Sequence, residues 1–396
     1  MFGTILAMGT FSGLIARMLR IPDVVVFLLV GMLLGPSALG MVNIKADSAV
    51  NQLILIFGSS YILFDGGATI RLKVLKEVWI TIVTIATIGV LITAAITGVA
   101  AWYFLDIPFI VALLLGTVIA STDPATLVPV FKQVRIKERV AQTVMSESAF
   151  NDAMGAILTF TVLGIAMGAG NFSTGDAILD LFKQSGLGIL IGGTLGYAAA
   201  FLIAHEKFGF LAEYAPVVTL MTVIGAYMGA DGLHSSGFMA VFVFGIMLGN
   251  QESLGFKRTR HDEAALEDFI MTTALIMRMF IFILLGAQVD FALINQYLLG
   301  GVAVVVVFML IARPATVFLC ALPDRRAKWS LKEMLFMCWT RETGVIPGAL
   351  AGILVGMKAP GAQLIASVTF IAILVTILIQ ATTTKWLAKK LDLLLE

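Results

Sequence analysis

Thirteen apolar stretches follow one another along this 396-residue chain, joined by short polar connections. They run over 2–19, 23–42, 50–70, 79–103, 107–131, 139–168, 184–205, 211–230, 235–250, 264–287, 293–320, 331–357 and 361–386. Most come near the ~20 residues that carry a helix across a bilayer. Hydrocarbon offers no partner to a backbone N–H or C=O, so such segments must be helices that satisfy their own hydrogen bonds. The fold class expected is therefore an all-α polytopic membrane protein with thirteen transmembrane helices. Composition agrees: 59% of residues are hydrophobic and 13% charged, where a soluble domain carries about 25% charged. No signal peptide is evident, because Met1 leads directly into an apolar run and Arg17 and Arg20 stand at its far end. Cys320 and Cys338 give no disulfide framework, and His205, His234 and His261 are too scattered for a zinc cluster.

Basic residues set the orientation. With the N-terminus outside, only Lys45, Lys183 and Lys358 fall in outer connections, and Arg278, Arg313 and Arg341 fall within spans. The other twenty of the 26 Lys and Arg lie in inner connections or at the inner ends of spans, the bias that orients membrane proteins. The C-terminus is then cytoplasmic.

The chain also repeats itself. Residues 27–35 (FLLVGMLLG) resemble 241–249 (VFVFGIMLG), 214 positions on, and 62–66 (ILFDG) resemble 282–286 (FILLG), 220 positions on. Thr122-Asp123-Pro124 in the fifth span stands 219 positions before Arg341-Glu342-Thr343-Gly344 in the twelfth. A shift of seven spans is odd, so the second copy is upside down. This is an inverted repeat of six plus six spans with the seventh as connector, an architecture of secondary transporters whose sites form at interrupted helices near the midplane.

Carboxylates at membrane depth are costly and usually mark an ion or proton path. The sixth span carries Glu147-Ser148-Ala149-Phe150-Asn151-Asp152. Ser148 and Asp152 are four residues apart and share one helix face, and Glu147 and Asn151 share the next. In the fifth span Pro124 removes a backbone donor and disfavours helix at Asp123. Gly344 and Pro347 act similarly in the twelfth, so spans 5 and 12 are the expected discontinuous pair. Freed carbonyls there, with Thr122, Asp123, Ser148 and Asp152, make an all-oxygen site suited to sodium, lithium or a proton and unsuited to copper or zinc. Asp152 is the best proton acceptor, and competition of cation and proton for it would give exchange without further machinery. Glu147 and Arg341 are expected to pair and hold span 6 against span 12. Arg313, before Pro314, is expected either to balance the negative charge of the core or to extend to the cytoplasmic surface. Arg278 has no obvious partner. Blander readings stand beside these. A lone membrane serine such as Ser148 commonly bonds its own backbone. Asp123 before proline could cap a helix, Asp65 before Gly66 and Gly67 reads as a helix end, Glu342 could pair locally with Arg341, and Asp23 reads as a first-turn capping acid. Asp152 beside Asn151 has no comparable bland account.

These residues resemble the NhaP-type sodium/proton antiporters of the first cation/proton antiporter family. The resemblance runs from the first span to the thirteenth, through Thr122-Asp123-Pro124-Ala125-Thr126, Glu147-Ser148 with Asn151-Asp152, Ala312-Arg313-Pro314, residues 282–286, and Arg341 followed by Gly344 and Pro347. It implies a homodimer in the lipid bilayer, with interface helices in 1–75 and 184–290 and a mobile transport bundle in 76–168 and 291–390. It implies that Asp152 carries the ion, that Asp123, Ser148 and the Thr122 carbonyl complete the site, and that sodium is held by Asp123, Ser148 and Asp152. It implies that the Glu147–Arg341 pair braces that site, and Asn151, Arg313, Asp65 and Glu342 are expected to support it as well. The Asn151-Asp152 form implies electroneutral exchange. Glu342 departs from the family pattern, where a glycine often follows the arginine.

The function expected is exchange of cytoplasmic sodium, or lithium, for external protons across the cell membrane by alternating access. No enzyme activity, cofactor or nucleic-acid partner is expected. Potassium/proton exchange on the same scaffold is the nearest rival. An intramembrane aspartyl protease would want two glycine-flanked aspartates on facing helices, and Gly229-Ala230-Asp231-Gly232 is only a turn near the outer face. An organic-anion symporter would not need Asp152 to ionise.

Overall fold

In the computed structural model the protein is described over residues 1–19, 21–122, 136–168, 174–204, 210–256 and 260–394. The helices in chain order are α1 (Phe2–Leu19), α2 (Asp23–Leu34), α3 (Ala49–Ala68), α4 (Leu72–Thr84), α5 (Val90–Leu105) and α6 (Phe109–Ile119). Next come α7 (Glu138–Ala166), α8 (Thr174–Ala204), α9 (Ala215–Gly232), α10 (Gly237–Gly249) and α11 (Arg260–Ala287). The last are α12 (Phe291–Val307), α13 (Arg313–Ala321), α14 (Leu331–Trp339), α15 (Val345–Gly356), α16 (Ala362–Thr376) and α17 (Thr382–Lys390). Three π turns, Ile85–Gly89, Phe308–Ala312 and Ile377–Ala381, join α4 to α5, α12 to α13 and α16 to α17 without ending the helix. Among the described residues there is no sheet; a single antiparallel bridge pairs Ile136 with Leu394. By length and composition eight described helical spans can cross a membrane, while α2, α6, α10 and α15 are shorter apolar helices.

The shorter ones have local causes. The expected span 23–42 is helical only to Leu34. Gly35 turns to an extended conformation at φ −68°, ψ 171°, and Pro36 cannot continue the helix. Helix α6 stops at Ile119, ahead of the Asp123-Pro124 pair, and α14 stops at Trp339. Between α14 and α15 the chain is non-helical over 340–344, with Gly344 at φ −143°, ψ −133°. The break before α15 ends at Gly344, where the glycine placed it, and α6 ends ahead of Pro124, which lies outside the described residues.

Several pairs of helices, α2–α11 and α3–α10 among them, pack so closely that a side chain cannot intervene. In the α2–α11 pair a Cβ on Gly31 would stand 2.9 Å from the Ile283 Cα, and one on Gly35 2.9 Å from the Ala287 Cα. In the α3–α10 pair a Cβ on Gly249 would stand 2.8 Å from the Ala68 Cα, and one on Gly245 3.0 Å from the Ala68 nitrogen. Small residues let membrane helices approach until backbone meets backbone, since burial of apolar surface drives little between lipid-like helices. Gly249→Val is accordingly expected to force α3 and α10 apart at a cost of about 1–3 kcal/mol or more. Gly164→Val on α7, which would meet nothing within 4 Å, should change stability by less than about 0.5 kcal/mol. Melting temperatures of the two purified variants check the contrast.

Candidate functional site

Helix α7 presents Glu147, Ser148, Asn151 and Asp152 within three turns, and all four are buried. The non-helical residues after α6 lie along this face, with Ser121 against Asp152 and Thr122 against Ser148 and Asn151. The Ser148 hydroxyl donates to the Thr122 carbonyl at 2.8 Å, and its oxygen stands 3.0 Å from Thr122 Oγ1. Asn151 works in both directions. Its Oδ1 accepts the Thr122 N–H at 3.1 Å, while its Nδ2 donates to Thr122 Oγ1 at 2.8 Å and to Glu147 Oε1 at 3.0 Å. The asparagine therefore fixes the chain leaving α6 to α7. The Ser121 hydroxyl donates to Asp152 Oδ1.

The second interruption meets the first. Arg341, in the non-helical link between α14 and α15, donates through Nη2 to the carbonyl of Ala120 at the end of α6. Behind it lies an ion cluster. Arg313 donates to both oxygens of Glu147, Nη1 to Oε1 at 3.0 Å and Nη2 to Oε2 at 2.7 Å, and its Nε donates to the Met337 carbonyl at 3.0 Å. Arg341 Nη1 stands 3.7 Å from Glu147 Oε1, an ion pair without a hydrogen bond. The expected ion pair of Glu147 with Arg341 is present, and Arg313 joins it as a second partner. Glu147 meets both arginines, and Arg313 takes the bidentate geometry that makes such pairs strong. Arg313 does not extend to the surface; only 1% of it is exposed. The π turn Phe308–Ala312 immediately before it inserts an extra residue and turns the following register, a device that recurs at functional sites.

The remaining sequence candidates are placed as follows. Asp123 lies outside the described residues. Glu342 is fully buried in the α14–α15 link, beside Arg341 and Thr343. Asp65 is half-buried in the last turn of α3, and a Cβ on its neighbour Gly66 would lie 3.5 Å from the Ala149 Cβ, so that turn abuts α7. Arg278 is half-buried on α11. Ser121 was absent from the sequence reading. It directly precedes Thr122, and its only signal was the hydroxyl in Ser121-Thr122-Asp123-Pro124.

Chemically, the site offers a buried carboxylate, three hydroxyl oxygens and an amide to a small hard cation, with the ion cluster and Arg341 holding the two interruptions together. An all-helical membrane protein that gathers such groups where two helices break is built as a secondary transporter. The chain belongs to the sodium/hydrogen exchanger family, whose transmembrane model matches residues 3–390. It is 34% identical over 418 residues to the Na(+)/H(+) antiporter 1 of Methanocaldococcus jannaschii, covering 98% of this chain and 94% of that one. It is 29% identical over 399 residues to the K(+)/H(+) antiporter NhaP of Alkalimonas amylolytica, covering 99% of this chain and 66% of the relative. Among solved structures, the sodium proton antiporter MjNhaP1 from M. jannaschii at pH 8 superposes with a TM-score of 0.85 at 31% identity, covering 98% of this chain and 97% of that one. Family and apolar helices together make this a multi-pass integral membrane protein.

Proposed function

We propose that the protein exchanges a monovalent cation, sodium foremost and lithium with it, for protons by alternating access, with Asp152 binding cation and proton in turn. One observation carries this reading: Asp152 is a buried carboxylate on α7 held against the interrupted end of α6, with hydroxyl oxygens beside it. Ser148, one turn away on the same face, supplies another oxygen, and Asp123, which follows Thr122 in sequence, joins the sodium ligands Ser148 and Asp152. Among the described residues, the ionisable side chains buried at the two breaks are Arg313 and Arg341 against Glu147, Asp152 and Glu342. Asn151 braces the break and adds no second exchanged charge, which supports electroneutral 1:1 exchange.

The architecture we infer is thirteen spans, with spans 1–6 repeated upside down in spans 8–13. Each expected span overlaps a described helix, the second over Asp23–Leu34 and the fifth over Phe109–Ile119. The breaks after Ile119 and Trp339 are 220 positions apart, and the π turns starting at Ile85 and Phe308 are 223 apart. The close glycine contacts exchange places as well: Gly31 and Gly35 of α2 against α11 answer to Gly245 and Gly249 of α10 against α3. The moving unit is 76–168 with 291–390, and the static unit 1–75 with 184–290, which also forms a homodimer. Their outer boundary has small contacts: Gln52 on α3 donates to the Gly352 carbonyl on α15 at 3.4 Å, and Asp47 meets Lys358 at 3.7 Å. The protein sits in the cell membrane with its N-terminus outside and C-terminus in the cytoplasm, in keeping with the lopsided lysines and arginines.

Competition for Asp152 has a quantitative signature. In sealed proteoliposomes the apparent KM for sodium should rise as pH falls, approaching about tenfold per pH unit for one competing proton. Exchange should neither generate a membrane potential nor respond to one. A cation affinity flat between about pH 5 and 9, or a robust voltage signal, rules the mechanism out. Testing each cation in turn decides the second reading, potassium/proton exchange, which the name of the A. amylolytica relative favours.

A further inference from the structure

We propose that Ser121 is a further cation-binding residue, one that sets the size preference of the site through its hydroxyl oxygen and is admitted to Asp152 by a notch at Gly155. The proposal rests on the reading of Asp152 as the cation carrier and adds to it a ligand and a selectivity device.

Two independent observations carry it. The first is the hydrogen bond itself. Ser121 is fully buried, and its hydroxyl donates to Asp152 Oδ1. A hydroxyl has one proton and two lone pairs. With the proton turned to the carboxylate, both lone pairs remain for a cation seated beside that hydrogen bond, against the hydroxyl and the carboxylate together. The common alternative for a membrane serine, a bond to its own backbone, is what Ser59, Ser60 and Ser185 do. The second observation is steric. Gly155 lies three residues beyond Asp152 on α7, and a Cβ there would stand 2.9 Å from the Ser121 Cβ. Any larger residue would lift Ser121 off the carboxylate. The local sequence on both helices thus serves one approach.

The consequence is selectivity. Asp152 and Ser148 sit on a rigid helix, and Ser121 closes the space from the opposite side. An oxygen fixed there completes the shell of a small cation and crowds a larger one. Removing it opens the site by one hydroxyl and leaves the small cation short of a ligand.

The test uses the full-length protein in proteoliposomes, with Ser121→Ala, Ser121→Thr, Gly155→Ala and the Ser121→Ala/Gly155→Ala pair. Ser121→Ala should raise the KM for sodium about tenfold, the scale of one lost charge-assisted bond, change kcat less than about twofold, and narrow the preference for sodium over potassium. Ser121→Thr, which keeps the hydroxyl, should restore the sodium KM to within about threefold. Gly155→Ala should mimic Ser121→Ala, and the pair should lose no more than either alone, since both remove the same contact. Sodium-dependent thermal stabilisation of the detergent-solubilised variants gives the same affinities without transport. Unchanged sodium-to-potassium KM ratios in Ser121→Ala, or equal losses for every cation, overturn the proposal. Asp152→Asn, run alongside, separates the two ideas. If it is silent while Ser121→Ala behaves as wild type, only the role of Ser121 falls; if it still drives proton flux, the carrier reading falls with it.

Discussion

Replacing Asp152 by asparagine is expected to abolish cation-driven proton flux and leave the folded protein intact. The amide keeps the size of the carboxylate, and its Oδ1 can still accept the Ser121 hydroxyl that the aspartate accepts. What disappears is the charge and the titration. A carboxylate about 4 Å from a monovalent cation contributes roughly 4 kcal/mol at an effective dielectric constant near 20. Losing that is about a thousandfold in affinity, enough to empty the site at any practical sodium concentration. Stability should hold or rise, because a neutral amide is easier to bury than a charge. Flux is read with a pH-sensitive dye inside proteoliposomes after a sodium pulse, and folding by melting temperature. Sodium-driven flux above that of protein-free vesicles in a folded Asp152→Asn sample would remove Asp152 from its assigned role.

Much of this site could be read from the chain because its elements are local. Glu147, Ser148, Asn151 and Asp152 needed only helical spacing to be sorted onto faces, and all four are buried on α7. Pro124 and Gly344 announced the two breaks, since each changes what the backbone can do at its own position. The contacts between breaks were less legible. Arg341 donating to the Ala120 carbonyl spans 221 positions, and nothing local fixes which backbone group a guanidinium reaches. The choice of Arg313 as the bidentate partner of Glu147 depends on register after the π turn Phe308–Ala312. Hydrophobic periodicity carries no signal for one inserted residue when every face of the span is apolar. Ser121 was missed for a related reason. Its contact with Asp152 comes from a non-helical segment lying along α7, and such segments inside apolar spans leave no periodicity to read.

Glu147→Gln is expected to be the most destabilising single change in the core, by roughly 3–5 kcal/mol. Glu147 is 3% exposed and holds two arginines, Arg313 at 2.7 Å and Arg341 at 3.7 Å. Its removal leaves two buried guanidinium groups on either side of a neutral amide, so each loses its counter-charge and they repel one another. Arg313→Gln should cost less. It strands Glu147 only partly, because Arg341 is already within ion-pair distance and can close on it. Arg341→Gln should cost least, about 1–3 kcal/mol, because the bidentate pair survives and the main loss is the donor to the Ala120 carbonyl. The double change Glu147→Gln/Arg313→Gln should recover part of the Glu147→Gln loss, since it removes a stranded charge along with its partner. A double-mutant cycle on Glu147 and Arg313 should therefore give a larger coupling than one on Glu147 and Arg341. Thermal melting of detergent-solubilised variants supplies both cycles. A larger coupling to Arg341 would reverse the assignment of the principal partner, and additive losses in both cycles would mean that the three charges do not act as a unit.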